Sequence, residues 1–418
     1  MNTARWHEFL VYCLNRPLAY AILELSRRLG DVVHIPSIGY IVNDAEVARE
    51  VLTDGAHFDS HSPGSLGVLI TQVLGPHALL NMDGADHKEL KRRLMEVFSP
   101  RYVATLLDAA TADLVEDFRG ALVAGHRVDV VEFLKNFASR LACELIGVKI
   151  EPRDERRAYA EMFDLATEFT ALAGLGKRQL GPHELTKAKD IVARLATHIR
   201  ASYEDVQQRD YSLTQQMRAR DFSFEEVQGV VIIVMIGATE LITYGLPRVL
   251  ALLIDSGQIT KLRANPSLLD AAIDEGFRLV TPSNVILRAV VADAVVRGHR
   301  FRSGERALIV FHSIMRQARH FPDPGRFDIE RPSDPRYRRL MFGAGPHTCL
   351  GTGLAIAEAR KVLATVLALD GELEITERRY NRGKTYPGYA SLRLRLTRRT
   401  QMPRSGQGPP RMASEKRG

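Results

Sequence analysis

The segment from Phe342 to Gly351 places one cysteine in a glycine-rich loop directly before a helix-forming run, with the sequence FGAGPHTCLG. Free backbone N–H groups at the start of a helix stabilise negative charge, so Cys349 stands where a thiol can be held as a thiolate and bind a metal. Gly343 and Gly345 allow a tight turn, and Gly351 allows the backbone to approach a flat ligand closely. The alternative interpretation is a buried structural cysteine beside a glycine turn.

This loop resembles the cysteine-ligand loop of the cytochrome P-450 family, F-x-x-G-x-H-x-C-x-G, at every defining position. The resemblance implies that Cys349 is the proximal ligand of a haem b iron and that Phe342, His347 and Gly351 belong to the same site. It extends over residues 30–396 and implies the family's fold, which is mainly α with small β-sheets: a helical prism enclosing the haem.

The family's E-x-x-R pattern occurs at Glu275 and Arg278, and the later segment FDIER resembles the one that supplies a second arginine, here Arg331. The resemblance implies that these three residues form a buried charge network that braces the cysteine loop. Their role would be structural, because removing one member would leave a buried charge unpaired. By spacing alone, Glu275 and Arg278 would equally fit a solvated pair on a helix surface.

Haem carries two propionates, so its site needs several cationic or hydrogen-bonding side chains aimed at one edge. Four residues match the family's positions for this role: His87, Lys91, Arg288 and His347. His87 and Lys91 are four residues apart and share one helix face, although an ordinary amphipathic surface helix has the same pattern. Lys91 stands where the family commonly has arginine. Because lysine lacks the bidentate fork, we expect a looser contact there.

The long apolar helix departs from the family's A-G-x-(D/E)-T-T pattern, whose acid and alcohol deliver protons. An ungapped alignment from Glu275 puts Gly237 on the glycine, Thr239 on the acid and Glu240 on the alcohol. A shift of one residue keeps Glu240 as the acid and puts Leu241 on the alcohol. We expect Thr239 and Glu240 to be catalytic, with Glu240 above the iron. The alternative is that Glu240 turns away and pairs elsewhere.

Apolar residues around this helix are candidates for the wall of the substrate pocket, although plain core has the same composition. They are Ile233, Ile236, Gly237, Val285 and Ile286.

Basic residues cluster just before the cysteine loop and on the helix that holds Lys91, namely Arg336, Arg338, Arg339, Arg92 and Arg93. We interpret this cluster as the face on which an acidic iron-sulfur protein docks. A solvated charged turn is the alternative.

Composition excludes several other classes of protein. With 45% hydrophobic and 26% charged residues, the chain can bury a sizeable core. Six basic residues and one acid in the segment 398–418 supply five of the seven net positive charges, so the rest is nearly balanced and nucleic-acid binding is not expected. Three scattered cysteines fit a reducing compartment. The longest uncharged apolar run, 229–238, is too short to span a bilayer, and we expect no membrane insertion and a cytoplasmic location.

The order of elements predicts one domain. Short runs rich in valine and isoleucine predict strands over 32–35 and 39–42, followed by a helix capped at Asn43 or Asp44. Helical spacing dominates from Tyr102 to Arg209, and a long apolar helix is predicted from Phe224 to Leu253. We expect a single haem-thiolate catalytic domain over residues 1–400. The Pro- and Arg-rich segment 401–418 is predicted to be a disordered basic tail.

These features together predict a monooxygenase that oxidises a lipophilic small molecule, with electrons from ferredoxin and ferredoxin reductase. Separate redox partners are needed because no flavin, NAD or iron-sulfur motif is visible. Two alternatives stay open. A peroxide-using or redox-neutral haem-thiolate enzyme would explain the departure around Glu240. A non-catalytic haem sensor or carrier is the other.

Overall fold

The structure is a computed structural model that describes residues 3–397, apart from 96, 149, 151–153, 173–178, 206–211 and 333. The segment 401–418, predicted as a disordered tail, lies outside the described residues. The helices are α1 (Thr3–Asn15), α2 (Pro17–Leu29), α3 (Ala45–Thr53), α4 (Gly67–Leu74), α5 (Gly84–Met95), α6 (Pro100–Val123), α7 (Val130–Ile146), α8 (Glu155–Leu172), α9 (Pro182–Glu204), α10 (Leu213–Arg218), α11 (Phe224–Asp255), α12 (Gln258–Ala264), α13 (Leu269–Val280), α14 (Phe311–Ile314), α15 (Pro335–Arg338) and α16 (Thr352–Leu367). The strands are β1 (Val32–Ile35), β2 (Gly39–Val42), β3 (Phe58–Asp59), β4 (Val128–Asp129), β5 (Val285–Val290), β6 (Ala294–Val296), β7 (His299–Phe301), β8 (Arg306–Val310), β9 (Glu372–Tyr380) and β10 (Tyr389–Thr397).

Distant parts of the chain combine in one five-stranded sheet with the order β1-β2-β8-β5-β3. Strands β1 and β2 form a hairpin, β2 pairs in parallel with β8, and β5 pairs antiparallel with β8. The predicted bounds of β1 and β2 are confirmed, and Asp44 is the cap of α3 because its carboxylate accepts from the Val47 amide. The sheet therefore joins the N-terminal region to the region around Arg288.

The long apolar helix α11 runs through the middle of the protein. Ser223 and Glu226 begin it with a capping box, in which each side chain bonds the other residue's backbone. By length and composition alone α11 could cross a membrane, but 72% of its most apolar window is buried inside the protein. This helix is therefore part of the core.

Two apolar clusters meet along α11. One cluster includes α6, α7, α13 and α16, and the other includes α4, α8, α9 and α10. Val234 of α11 packs against both. Phe342 packs against the first cluster and Leu350 against the second, so the cysteine loop lies where the two cores meet.

Candidate functional site

The cysteine loop is built from two short 3-10 turns, over Leu340–Phe342 and Gly345–His347, and leads directly into α16. The Cys349 amide donates to the Phe342 carbonyl at 2.8 Å, which closes the loop. Gly345 has a φ of +65°, and a Cβ there would come within 2.9 Å of the Thr53 side chain. Both the left-handed backbone and the close approach of α3 therefore require glycine at this position.

Solvent reaches Cys349, although its sulfur lies beneath the protein surface among densely packed atoms. Burial raises the pKa of the Cys349 thiol, while the Gly351 amide, the Thr352 hydroxyl and the Lys91 ammonium all act to lower it. These three groups favour the thiolate, which is the form that binds a metal. A Cβ on Gly351 would lie 3.9 Å from the Cys349 sulfur, so glycine keeps this side of the thiol open.

The predicted charge network is present and buried. The Glu275 carboxylate accepts from Arg278 Nε at 2.6 Å, from Arg278 Nη2 at 2.9 Å and from Arg331 Nε at 3.0 Å. It also accepts from the Asp328 amide at 3.0 Å. The remaining donors of Arg278 reach the carbonyls of Met315 and Pro324, at 2.6 and 3.0 Å. The network thus ties α13 to the segment that precedes the cysteine loop.

Two further contacts connect α13 to the cysteine loop and to the arginines directly before it. The Phe277 ring meets the Phe342 ring edge-on, with 6.0 Å between their centroids. The buried Asp274 carboxylate accepts from Arg339 Nε at 2.7 Å and lies 3.2 Å from Arg338 Nε. Sequence reasoning missed Asp274, because an acid on an amphipathic helix gives no sign that two later arginines fold back onto it.

The four residues predicted to contact the propionates lie close together, but their side chains bind different partners. Lys91 Nζ donates to the carbonyls of Pro346 and Thr348, at 2.5 and 2.6 Å, so it holds the cysteine loop. His347 Nε2 lies 2.7 Å from an Asp83 oxygen, and its ring stacks on His87 at 4.2 Å. Desolvation lowers the pKa of His87 to about 4, which keeps this ring neutral near pH 7. Asp83 was not predicted from the sequence.

Two buried donors in this group lack an anionic partner. In the part of the chain that the structure describes, the Arg288 guanidinium donates only to the Leu287 carbonyl, at 3.0 Å. Within the same ranges, His87 Nδ1 has no hydrogen-bond partner. A buried guanidinium without an ion-pair contact is unfavourable: desolvation lowers the pKa of Arg288, and the Asp83 and Asp59 charges offset only part of this. A bound carboxylate would satisfy it, so Arg288 and His87 fit a group that carries propionates.

In the middle of α11, five accessible residues interrupt the buried sequence: Ile233, Val234, Gly237, Ala238 and Leu241. Their spacing places them on one side of the helix. A Cβ on Gly237 would meet no atom within 4 Å, so there is open space beside it. A flat ligand above Cys349 has room along this side.

Thr239 and Glu240 lie off this face. Thr239 is fully buried, and its hydroxyl donates to the Met235 carbonyl at 2.8 Å. Glu240 is also buried and faces Thr167 and Thr170 of α8. The structure therefore favours the alignment shifted by one residue, with Leu241 at the alcohol position, and the expectation that Glu240 replaces the alcohol above the iron is corrected.

The Glu240 carboxyl is nonetheless unusual. Burial raises its pKa, and the Thr170 and Thr167 hydroxyls offset part of that rise. In the described residues, Glu240 Oε2 has no hydrogen-bond partner. Such a group takes up a proton more readily than an exposed carboxylate does. The catalytic role predicted for Thr239 and Glu240 stays a prediction.

The predicted pocket wall divides into accessible and buried residues. Ile286 is partly exposed and, two residues before Arg288 on β5, shares its face of the sheet. Val285 points to the opposite face, where it packs with Ile41 and Leu308. Successive side chains of a strand point to opposite faces, so Val285 and Ile286 cannot line the same pocket wall. Val285 is therefore not part of the predicted wall. Ile236 is buried in the second core cluster, and Ile233 is partly buried against it.

A cysteine at a helix start, beside buried guanidinium and imidazole groups, is an arrangement that fits a haem-thiolate site. Comparisons with known proteins agree. The family model described as Cytochrome P450 matches residues 24–369. The chain therefore belongs to the cytochrome P450 family, whose members bind haem b, and it is an oxidoreductase.

Characterised relatives are monooxygenases and related enzymes from bacteria. The 20-oxo-5-O-mycaminosyltylactone 23-monooxygenase of Streptomyces fradiae is 27% identical over 295 residues, which cover 69% of this chain and 66% of that protein. The biotin biosynthesis cytochrome P450 of Bacillus subtilis is 27% identical over 292 residues, covering 69% of this chain and 72% of that protein. These relatives support an enzyme over a haem sensor or carrier.

Solved structures confirm the fold. The crystal structure of P450BioI in complex with an acyl carrier protein that carries hexadec-9Z-enoic acid has a TM-score of 0.76 and 21% identity, covering 91% of this chain and 98% of that one. The crystal structure of CYP109B1 from Bacillus subtilis has a TM-score of 0.74 and 21% identity, with 92% and 100% covered. The predicted fold, mainly helical with small sheets, is thereby confirmed.

Proposed function

We propose that this protein is a monooxygenase of a lipophilic small molecule. The observation that carries the proposal is the accessible face of α11, where Val234, Gly237, Ala238 and Leu241 offer only apolar atoms or open space. A surface of this kind binds substrates by burial of apolar area rather than by charge. When bound, haem supplies the iron that activates dioxygen and transfers one oxygen atom to the substrate.

The protein's own residues prepare this site. Cys349 supplies the thiolate, and Lys91 holds two carbonyls of the cysteine loop while its charge favours the ionised sulfur. Arg288 and His87 are the donors for the propionates. Ile286 lies on the same face of β5 as Arg288 and extends the apolar wall. Together these residues would hold and orient the cofactor.

The test is a substrate screen on the haem-loaded protein. Terpenoids, steroids, fatty acids and macrocycles are titrated, and the low-spin to high-spin optical shift is recorded. Compounds that shift the spectrum are then incubated with ferredoxin, ferredoxin reductase and NADPH, and products are identified by mass. A product heavier by one oxygen atom supports the proposal. Optical binding of several compounds without any oxidised product would contradict it.

Ferredoxin is the electron donor in this proposal, and docking at the basic residues before the cysteine loop is part of it. Arg338 and Arg339 are poor positions for a test, because both bind the buried Asp274 and charge reversal would disturb the fold. Arg336 is a better position, because its side chain is well exposed and its partner Asp334 is a local neighbour. Arg336→Glu should slow the first electron transfer, increasingly at low salt, since screening shortens the range of the interaction to about 8 Å at physiological ionic strength.

The matched control is Arg119→Glu, an exposed arginine on α6 that is also paired with a local acid. Substrate affinity should be unchanged in both variants. Equal electron-transfer rates for the two variants at low salt would remove this face from the proposal. The expected location of the enzyme is the cytoplasm, where ferredoxin is reduced.

A second candidate activity is peroxide-driven oxidation. It is favoured by the absence of a hydroxyl group at Gly237, Ala238 and Leu241, which are described residues on the accessible face of α11. A hydroxyl there would assist proton delivery during dioxygen turnover. Glu240, whose pKa is raised and whose Oε2 has no partner among the described residues, adjoins Leu241 and is the nearest titratable side chain along the helix.

The experiment compares wild type, Glu240→Gln and Leu241→Thr with peroxide and with the ferredoxin system. If Glu240 moves protons, Glu240→Gln should lower peroxide turnover about a hundredfold or more, in the range of general acid-base contributions. Leu241→Thr should improve the coupling of dioxygen turnover. Unchanged rates for Glu240→Gln with both oxidants would assign it a purely structural role.

A further inference from the structure

Helix α2 carries a row of large apolar side chains that point into solvent. Leu18, Ile22, Leu25 and Leu29 are exposed by 74%, 36%, 58% and 65%. Their spacing of four, three and four residues places them on one face of the helix. Exposed apolar residues are usually scattered, so a continuous row of four is a feature to be explained.

The opposite side of α2 is the one that packs on the protein. Ser26 is buried, and Leu23 packs against the apolar cluster of Ile41 and Val285 on the outer face of the five-stranded sheet. Tyr20 stacks on the Tyr12 ring, with centroids 5.7 Å apart. Helix α2 therefore packs on the protein through its opposite side, and the exposed row is a separate face of the helix.

Helix α1, which packs beside α2, carries two more exposed apolar side chains. Trp6 and Phe9 are exposed by 45% and 37%, and their rings stack at 5.6 Å. Phe9 also meets Tyr20 of α2 edge-on, at 5.9 Å. We call these six exposed residues the N-terminal apolar surface: Trp6, Phe9, Leu18, Ile22, Leu25 and Leu29.

The charge that α1 and α2 expose around the N-terminal apolar surface is net positive. Arg5, Arg16 and Arg28 are exposed on α1, between the two helices and on α2. The single acid of α1, Glu8, is bound by the buried Arg248 at 2.6 Å. The single acid of α2, Glu24, lies 2.7 Å from Arg27 and 3.2 Å from His312. The acids are thus neutralised, and exposed arginines remain beside the apolar row.

The size of the surface argues against a second copy of the chain as its partner. A 13-residue helix is about 20 Å long, so a row one side chain wide is only a narrow apolar strip. Even with Trp6 and Phe9 added, this strip is smaller than the roughly 800 Å² per partner in a stable protein interface. An apolar row flanked by arginines matches instead the helices that lie in the interface of an anionic bilayer.

We propose that the N-terminal apolar surface rests on an anionic phospholipid membrane. The apolar row would enter the boundary between headgroups and acyl chains, and the arginines would contact the phosphates. This is peripheral binding and requires no helix to span the bilayer. It would bring an enzyme core with an apolar ligand site to the phase in which lipophilic molecules concentrate.

The protein supplies its own probe, because Trp6 is its single tryptophan. The haem-loaded full chain is mixed with vesicles of phosphatidylcholine and phosphatidylglycerol in equal parts, and with vesicles of phosphatidylcholine alone. Binding is measured by co-sedimentation, and Trp6 by its emission maximum and by quenching from brominated lipids. The proposal expects binding and a blue shift with the anionic vesicles, both weaker at high salt and with phosphatidylcholine alone.

The variant Leu25→Ser/Leu29→Ser should weaken partitioning into anionic vesicles by about tenfold or more, since it removes two large apolar side chains from the interface. The matched control is Val123→Ser/Val295→Ser, which changes two residues exposed by 51% and 67% elsewhere on the surface. The control should bind as wild type does. Both variants should keep the carbon monoxide spectrum, which shows that the haem site is intact.

Three results would overturn the proposal. The first is that anionic vesicles neither sediment the wild type nor shift Trp6 emission. The second is equal loss of binding in the two double variants, which would mean that apolar exposure in general drives association. The third is a dimer in analytical ultracentrifugation that Leu25→Ser/Leu29→Ser abolishes, without vesicle binding. A second copy would then be the partner of this surface.

Discussion

Removing the Glu275 carboxylate tests whether the buried charge network supports the haem site. Glu275 accepts four hydrogen bonds, three from Arg278 and Arg331 and one from the Asp328 amide. The side chains of all three charged residues are almost fully buried. Glu275→Ala would therefore leave two guanidinium groups in the interior without their carboxylate, and breaking a buried pair in this way costs about 3 to 5 kcal/mol.

That energy is a large part of the roughly 5 to 15 kcal/mol that stabilises a folded protein. Unfolding entropy near the melting temperature is about 2.1 cal/mol/K per residue, which for a chain of about 400 residues gives about 0.8 kcal/mol/K. A loss of 4 kcal/mol then lowers the melting temperature by about 5 °C. Haem content should fall as well, because the network holds the segment before the cysteine loop.

Glu116→Ala is the matched control, because Glu116 and Arg119 form a glutamate-arginine pair with the same helical spacing, but at the surface. Exposed pairs contribute about 0 to 1 kcal/mol, so this variant should melt within about 1 °C of wild type. Glu275→Gln, which keeps one acceptor oxygen, should fall between the two. The assays are calorimetry and the haem absorbance per protein. If Glu275→Ala matches Glu116→Ala in both, the network does not brace the site.

Two further predictions concern other buried groups. Cys349→Ser should abolish the red-shifted Soret band of the reduced carbon monoxide complex, because that band reports thiolate ligation; a retained band would refute the assignment of Cys349. Burial raises the pKa of Glu358 well above its usual value, and in the described residues its Oε1 has no partner. The protonated form is therefore favoured in the folded state, and wild type should lose stability as pH rises from about 4.5 towards the folded pKa. Glu358→Gln cannot ionise, so its melting temperature relative to wild type should increase between pH 5 and pH 8, and a constant difference would refute this reasoning.

Local sequence determined the parts of the protein that depend on short-range geometry. The loop around Cys349 was predictable because its glycines, its cysteine and the following helix lie within ten residues. The strands 32–35 and 39–42 were predictable because their β-branched residues and the turn between them are local. Helix α11 was predictable because its apolar length exceeds what any loop would carry. The family's fold follows from these pieces and is confirmed by the solved structures.

Sequence reasoning did not find the N-terminal helices or the partners that join distant segments. Helices α1 and α2 were not predicted because much of their apolar surface faces solvent. The spacing of their apolar residues therefore does not indicate a buried face. Asp83 and Asp274 escaped because their partners, His347 and Arg339, come from segments hundreds or tens of residues away. No local pattern records such pairings.

The sequence by itself indicated the family and the chemistry to expect, because the cysteine loop and the E-x-x-R pair are residue types at fixed spacings. Only the tertiary structure decided which way several of the predicted site residues point. Glu240 faces α8 and not the accessible side of α11, Val285 lies behind the sheet, and Lys91 binds the cysteine loop. The physical reason is that one residue of shift turns a helical side chain by about 100° and reverses a strand side chain, and only packing against distant elements fixes that register.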